Sequence, residues 1–195
     1  MKVKKIGALC KARGVCCLFD ELTEGGEISR QWISNGAAMW PVSGLPQLSE
    51  VNLSTLFDFS PNVVEKMKIA ERAMPMLLAA VSYDLRDGEA QLQESSVRLR
   101  VDGEELMALT AGSRVIWLRA ELLAPCWTKE TQLILRESDD VTVVAVCDGM
   151  FLAGVVMPAM VQDETFRELL RLGVSAPKPV TPAEDIPEDE DDAGE

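Results

Sequence analysis

"VVAVCDGMFLAGVVMP", residues 143–158, decides how the rest of the chain is read. One cysteine, one aspartate and two glycines interrupt an otherwise apolar run. Two readings compete: a reactive site around Cys147 and Asp148, or a tight turn joining two buried strands. Asp-Gly favours type I′ hairpin turns, because both central residues of that turn need positive φ. With Asp148-Gly149 as the turn, Cys147 falls opposite Met150, Val146 opposite Phe151, Val144 opposite Ala153 and Val143 opposite Gly154. Both faces of such a hairpin are apolar, which places it in the middle of a sheet covered on both sides. Asp148 then reads as a turn residue and Cys147 as a packed one.

Three further dipeptides carry the same signal: Asn35-Gly36, Asp87-Gly88 and Asp102-Gly103. Around Asn35-Gly36, Trp32 is set opposite Met39 and Ile33 opposite Ala38. Around Asp87-Gly88, Arg86 is set opposite Glu89. "VRLRVDGEELMAL" alternates cleanly, with Val97, Leu99 and Val101 on one face and Arg98 and Arg100 on the other. Its turn sets Arg100 opposite Glu105 and Leu99 opposite Leu106, ordinary cross-strand pairing. Additional strands are expected at 3–10, 14–20, 113–119 and 131–136. A helix is expected over 61–74, with Ser60 as N-cap, Pro61 at the first position and Val63, Val64, Met67, Ala70 and Met74 on one face. A short helix starting at Ser49 and another over 163–172, capped by Asp163 and stopped at Gly173, complete the set.

These elements predict an α+β fold of mainly antiparallel hairpins with two or three helices packed on the sheet or sheets. The body is 1–173, as one unit or as two small subdomains near 1–75 and 76–173, a size able to bury a proper core. From 174 to 195 the chain is Pro-rich and acidic, with eight acids against the single Lys178, and reads as a disordered tail. Net charge is −13, of which the tail carries −7, so the body is only mildly acidic and gives no sign of a coat of basic nucleic-acid contacts.

Histidine is absent from the sequence, which removes Ser-His and Cys-His nucleophile pairs and the commonest zinc and iron ligand. Five cysteines at irregular spacings do not form a secreted disulfide framework. No apolar run reaches the roughly 18 residues a membrane span needs. The basic, then apolar start "MKVKKIGALC" is too short in its apolar part for a signal peptide, so a cytoplasmic protein with reduced thiols is expected.

The candidate sites are weak individually. Cys16 and Cys17 are adjacent, so on a strand they point to opposite faces and read as packing. No phosphate loop is present. Arg98, Arg100, Arg114 and Arg119 could line up as a DNA- or partner-facing stripe, against the alternative of a solvated face with local pairing. Trp40, before Pro41 in a turn-rich segment, is either a partner anchor or a plug at the edge of the core. Asp20, Glu21, Asp139 and Asp140 are the carboxylates a divalent-metal enzyme would use; Asp139 and Asp140, with Glu137, could help hold a divalent cation, although they lie where turn residues are expected.

"MKVKKIGALCKARG" and "QWISNGAAMWPVSGLPQL" resemble segments of phage- and prophage-encoded proteins of Gram-positive bacteria. "VTVVAVCDGMFLAGVVMPAMV" is similar to the closing strands of a DNA sliding-clamp domain. That resemblance implies paired units of one helix and several antiparallel strands, with DNA enclosed rather than gripped. The expectation is therefore a non-catalytic, phage-type binding or assembly protein, clamp-like and acting in DNA metabolism. Its partner would be a protein or a second copy, with DNA met only topologically or weakly, no membrane and no cofactor. The alternative is the carboxylate-based metal enzyme.

Overall fold

The computed structural model describes residues 2–74, 89–101, 103–138 and 141–159. The decisive stretch forms a hairpin of β9 (Val141–Asp148) and β10 (Phe151–Val156), but its register is displaced from the expected one. Phe151 pairs with Asp148 and Leu152 with Cys147, so the two loop residues are Gly149 and Met150 rather than Asp148 and Gly149. Gly149 has φ 59° and Met150 is not in the positive region, the pattern of a type II′ turn, which asks for glycine at its first loop position alone. The hairpin of β2 (Ile28–Ser34) and β3 (Ala38–Pro41) is displaced in the same sense, with Ser34 opposite Met39 and Gly36 at φ 83°. Asn35 is thereby freed from the loop, and its side-chain oxygen accepts the Ala37 and Ala38 N–H groups at 3.0 and 2.9 Å. Only the hairpin of β5 (Ala90–Val101) and β6 (Glu104–Ala111) has the expected register, Arg100 opposite Glu105 and Leu99 opposite Leu106. The Asp87-Gly88 turn lies outside the described residues.

The expected α+β architecture does not form; the fold is essentially all-β. Among the described residues ten strands make one sheet in the order β4-β1-β2-β3-β10-β9-β8-β5-β6-β7, adding β1 (Val15–Leu22), β4 (Lys68–Ala73), β7 (Arg114–Arg119) and β8 (Thr131–Ser138) to those above. Every pairing is antiparallel except β1 with β4. Among the described residues three short α-helices accompany the sheet, α1 (Val3–Arg13), α2 (Glu50–Leu56) and α3 (Pro61–Val64), together with a 3-10 turn at Ala120–Leu123. The expected helix over 61–74 stops after one turn, because 68–73 pairs with the otherwise open edge of β1, Cys16 opposite Ile69 and Leu18 opposite Glu71. Backbone bonds at both ends fix that register, Lys68 N–H to Gly14 O at 2.8 Å and Met74 N–H to Asp20 O at 2.8 Å. The expected strand at 3–10 is instead α1, ended by Gly14 in the left-handed conformation, with Lys11 and Arg13 in its last turn. α2 does begin after Ser49, whose N–H is accepted by the Asn52 side chain at 2.7 Å. The helix expected over 163–172 and the tail lie outside the described residues.

β5 hands the chain from one part of the sheet to another. Ala90–Leu92 pair with β8, whereas Gln93–Val101 pair with β6. The β6–β7 end curls over the first face of the sheet, so Met107, Leu109 and Leu118 join Leu18, Ile33, Trp40, Val144 and Val146 in one core, with Ile6 and Cys10 of α1 among them. Residues from both the 1–75 and 76–173 parts of the chain line this core, and β3 pairs with β10 across them. The opposite face holds a second core of Trp32, Met39, Ile134, Val143, Ala145, Cys147, Leu152 and Val155. β9 therefore feeds alternate residues into two cores, and the both-faces-buried placement read from its sequence is the one observed. An extra residue at Ala153 breaks the register between Leu152 and Gly154 and lets Leu152 and Val155 share the second face.

Gly154 sits in a crowded part of the sheet. A Cβ there would stand 3.1 Å from Trp40 Cδ1, 3.2 Å from the Met39 carbonyl oxygen and 3.4 Å from Cys126 Sγ. Gly154→Val is expected to destabilise by about 2 kcal/mol or more through overpacking. Urea or thermal denaturation checks this, and an unchanged midpoint would mean that the Trp40 side of β10 is not packed as described.

Candidate functional site

The four arginines do not assemble into a basic stripe. Arg98 pairs with Glu94 on its own strand, with Glu105 4.0 Å away, and also donates to the Ser95 carbonyl at 2.7 Å. Arg114 makes a two-point contact with Glu137 at 2.6 and 2.5 Å, which holds the Glu137 carboxyl below the usual glutamate range. Arg119 pairs with Glu104, and Arg100 is exposed opposite Glu105. Three of the four positive charges are thus matched by a carboxylate, on the same strand for Arg98 and on another strand for Arg114 and Arg119. Trp40 is fully buried in the first core, so it is a plug and not a partner anchor. Its indole Nε1 has no oxygen or nitrogen acceptor and its ring lies beside the Cys126 thiol.

The acids are equally dispersed. Asp20 and Glu21 occupy adjacent strand positions and serve opposite faces. Asp20 accepts the Gln31 side-chain N–H at 2.7 Å, and Gln31 in turn clamps both backbone groups of Leu48, at 2.7 and 2.9 Å. Glu21 takes the Trp32 indole N–H at 3.2 Å and faces Arg30 at 3.4 Å. Both carboxylates are committed to holding side chains and loops in place. Asp139 and Asp140 lie outside the described residues. Among the described residues no group of three or more Cys, Asp or Glu side chains is placed to hold a metal ion. Sequence inspection overlooked a buried ion pair, Arg136 Nε to Glu89 at 2.7 Å, which ties the start of β5 to β8 at the end of the second core.

The cysteines behave as core residues. All five are free thiols, and only Cys17 has substantial exposure. Burial pushes the Cys147 thiol up, only partly offset by Arg136, and it pushes Cys126 up to about 11. Cys10 is raised by its contact with Cys16 and by burial.

Apolar surface is left uncovered at the β9–β10 tip. Met150 is 88% exposed and Phe151 73%, against complete burial of Trp40 on the adjacent β3. Phe151 forms one wall of a groove of about 370 Å³, otherwise walled by half-buried Trp127 and by Pro41 and Pro125, with Lys2, Arg30 and Asp148 as its charged lining. The displaced turn creates this surface. In the expected register Phe151 would face Val146 well inside the hairpin; with Gly149-Met150 as the loop it stands at the tip opposite Asp148. The signal that could have found it was the Gly-X pair of a II′ turn, overlooked in favour of Asp-Gly.

Thiol labelling of the native protein near pH 8 is expected to modify Cys17 first and to leave Cys147 untouched until unfolding; rapid labelling at Cys147 would revive the reactive-site reading. Compared with protein families, with curated proteins and with solved structures, the chain matches none. The resemblances to phage proteins and to sliding-clamp domains therefore gain no support from the comparisons.

Proposed function

We propose that the chain is a non-catalytic binding or assembly protein whose docking surface is the groove at the β9–β10 tip. The observation that carries this reading is the exposure of Met150 and Phe151 beside a groove walled by Trp127 and two prolines. An exposed aromatic next to an aromatic-walled cleft is the composition that anchors protein interfaces, because a ring buries a large area at little entropic cost. Singly exposed apolar residues such as Val51 need no such explanation. Of the acids that a metal enzyme would have used, Asp20 and Glu21 are tied into structural hydrogen bonds, and of the arginines that a DNA reader would have used, Arg98, Arg114 and Arg119 are matched by glutamates. Five free thiols fit a reducing, cytoplasmic setting. No helix among the described residues is long and apolar enough to cross a membrane.

A photo-crosslinking residue placed at position 151 tests this in cells. A discrete protein adduct is expected from position 151 and none from position 51, which is equally exposed but isolated. Absence of an adduct at 151, or the same smear from both positions, would remove the tip as a docking surface.

A further inference from the structure

We propose that the occupant of this groove is a second copy of the same chain, bound about a two-fold axis at the β9–β10 tip. This rests on the reading of the tip as a docking surface and names its partner. A two-fold interface brings one patch against itself, so the patch must be complementary to itself in shape and in charge. Both conditions are met within a few residues. In shape, Met150 and Phe151 are exposed at the tip, and Phe151 forms the edge of the groove bordered by Trp127, Pro41 and Pro125. A knob and a hole side by side let each copy insert its own Phe151 beside the Trp127 of the other. In charge, the groove carries two cations, Lys2 and Arg30, and one anion, Asp148; Arg30 faces Glu21 within the chain, which leaves Lys2 and Asp148. Among the described residues neither enters an ion pair within the chain, so both can pair across the axis without giving up an existing contact. A partner of one sign would be matched by a rim of the opposite sign. A rim bearing both signs fits a partner that bears both, and the same patch is such a partner. The net charge of −13 repels two copies at long range. At physiological ionic strength that repulsion is screened beyond roughly 8 Å, whereas contacts across a docked interface are not.

Sedimentation equilibrium of the full-length protein at physiological salt tests the proposal. A monomer–dimer equilibrium is expected, and Phe151→Asp should shift it at least about tenfold toward monomer, with the melting temperature unchanged at concentrations low enough that both proteins are monomeric, because the residue is exposed. Lys2→Asp and Asp148→Lys should each weaken self-association alone, since each sets like charges together twice across the axis. An equimolar mixture of the two variants should restore it, because both cross-axis pairs of the mixed dimer again have opposite signs. A tag on one variant reads the mixed species directly. A wild-type protein that stays monomeric up to about 100 μM, or a mixture that associates no better than either variant, overturns the proposal. If the protein is monomeric while position 151 still crosslinks to a different protein, the second copy is wrong and the docking surface stands. If it is monomeric and position 151 yields no adduct, both are wrong.

Discussion

The burial of β9 on both faces is the constraint from which the rest of the structure follows. A strand with one wet face can sit at the surface, but Val144 and Val146 face one core while Val143, Ala145 and Cys147 face another. Each large aliphatic side chain hidden this way contributes about 1.5–3 kcal/mol, and none of it is gained unless both sides are covered. On the first side the cover is α1 together with the β6–β7 hairpin, which reaches across because β5 changes partners midway. The 3-10 helix at Ala120–Leu123 adds Leu122 and Leu123 to the same side. On the second side Trp32 and Met39 of the β2–β3 hairpin extend the apolar layer. Gly154 allows Trp40 to lie against β10, so the contact of β3 with β10 depends on the absence of a side chain at one position.

The same constraint produces the exposed tip. Two hairpins chose glycine at the first loop position instead of the Asn-Gly or Asp-Gly pair as a whole, because a II′ turn needs positive φ once and a I′ turn needs it twice. In the β2–β3 hairpin the released Asn35 gives its oxygen to two backbone N–H groups and stays buried. In the β9–β10 hairpin the shift moves Phe151 from a packed position to the end of the sheet. The Ala153 bulge then returns β10 to the alternation its core requires. A surface feature thus arises from a backbone choice that the buried strands on either side tolerate.

The strands over 14–20, 113–119 and 131–136 and the two arms of the central hairpin were legible because their apolar pattern and turn residues agree. The Arg100–Glu105 register was legible for the same reason. What misled was information the local sequence does not carry. Residues 68–73 have a helical apolar spacing through Met67, Ala70 and Met74, yet they lie along β1, and pairing with a strand some fifty residues away is invisible to any window. That one element turned an expected α+β fold into an all-β one. α1 was partly readable: Ile6 and Cys10 are spaced i, i+4, with Gly14 following, but no side chain caps its start, and its apolar residues also suited a short strand. The charges were least readable. Arg114 meets Glu137 and Arg119 meets Glu104 across strands, so a stripe counted along the chain dissolves once the sheet is assembled.

Residue-resolved amide hydrogen exchange, run at low and at high protein concentration, tests most directly whether a doubly buried β9 supports a docking tip. The amides of Val143–Cys147 should exchange only through global unfolding at both concentrations, while those of Phe151–Ala153 should gain protection as concentration rises. Rapid exchange along β9 under native conditions would contradict the claim that both of its faces are sealed, and with it the placement of the tip.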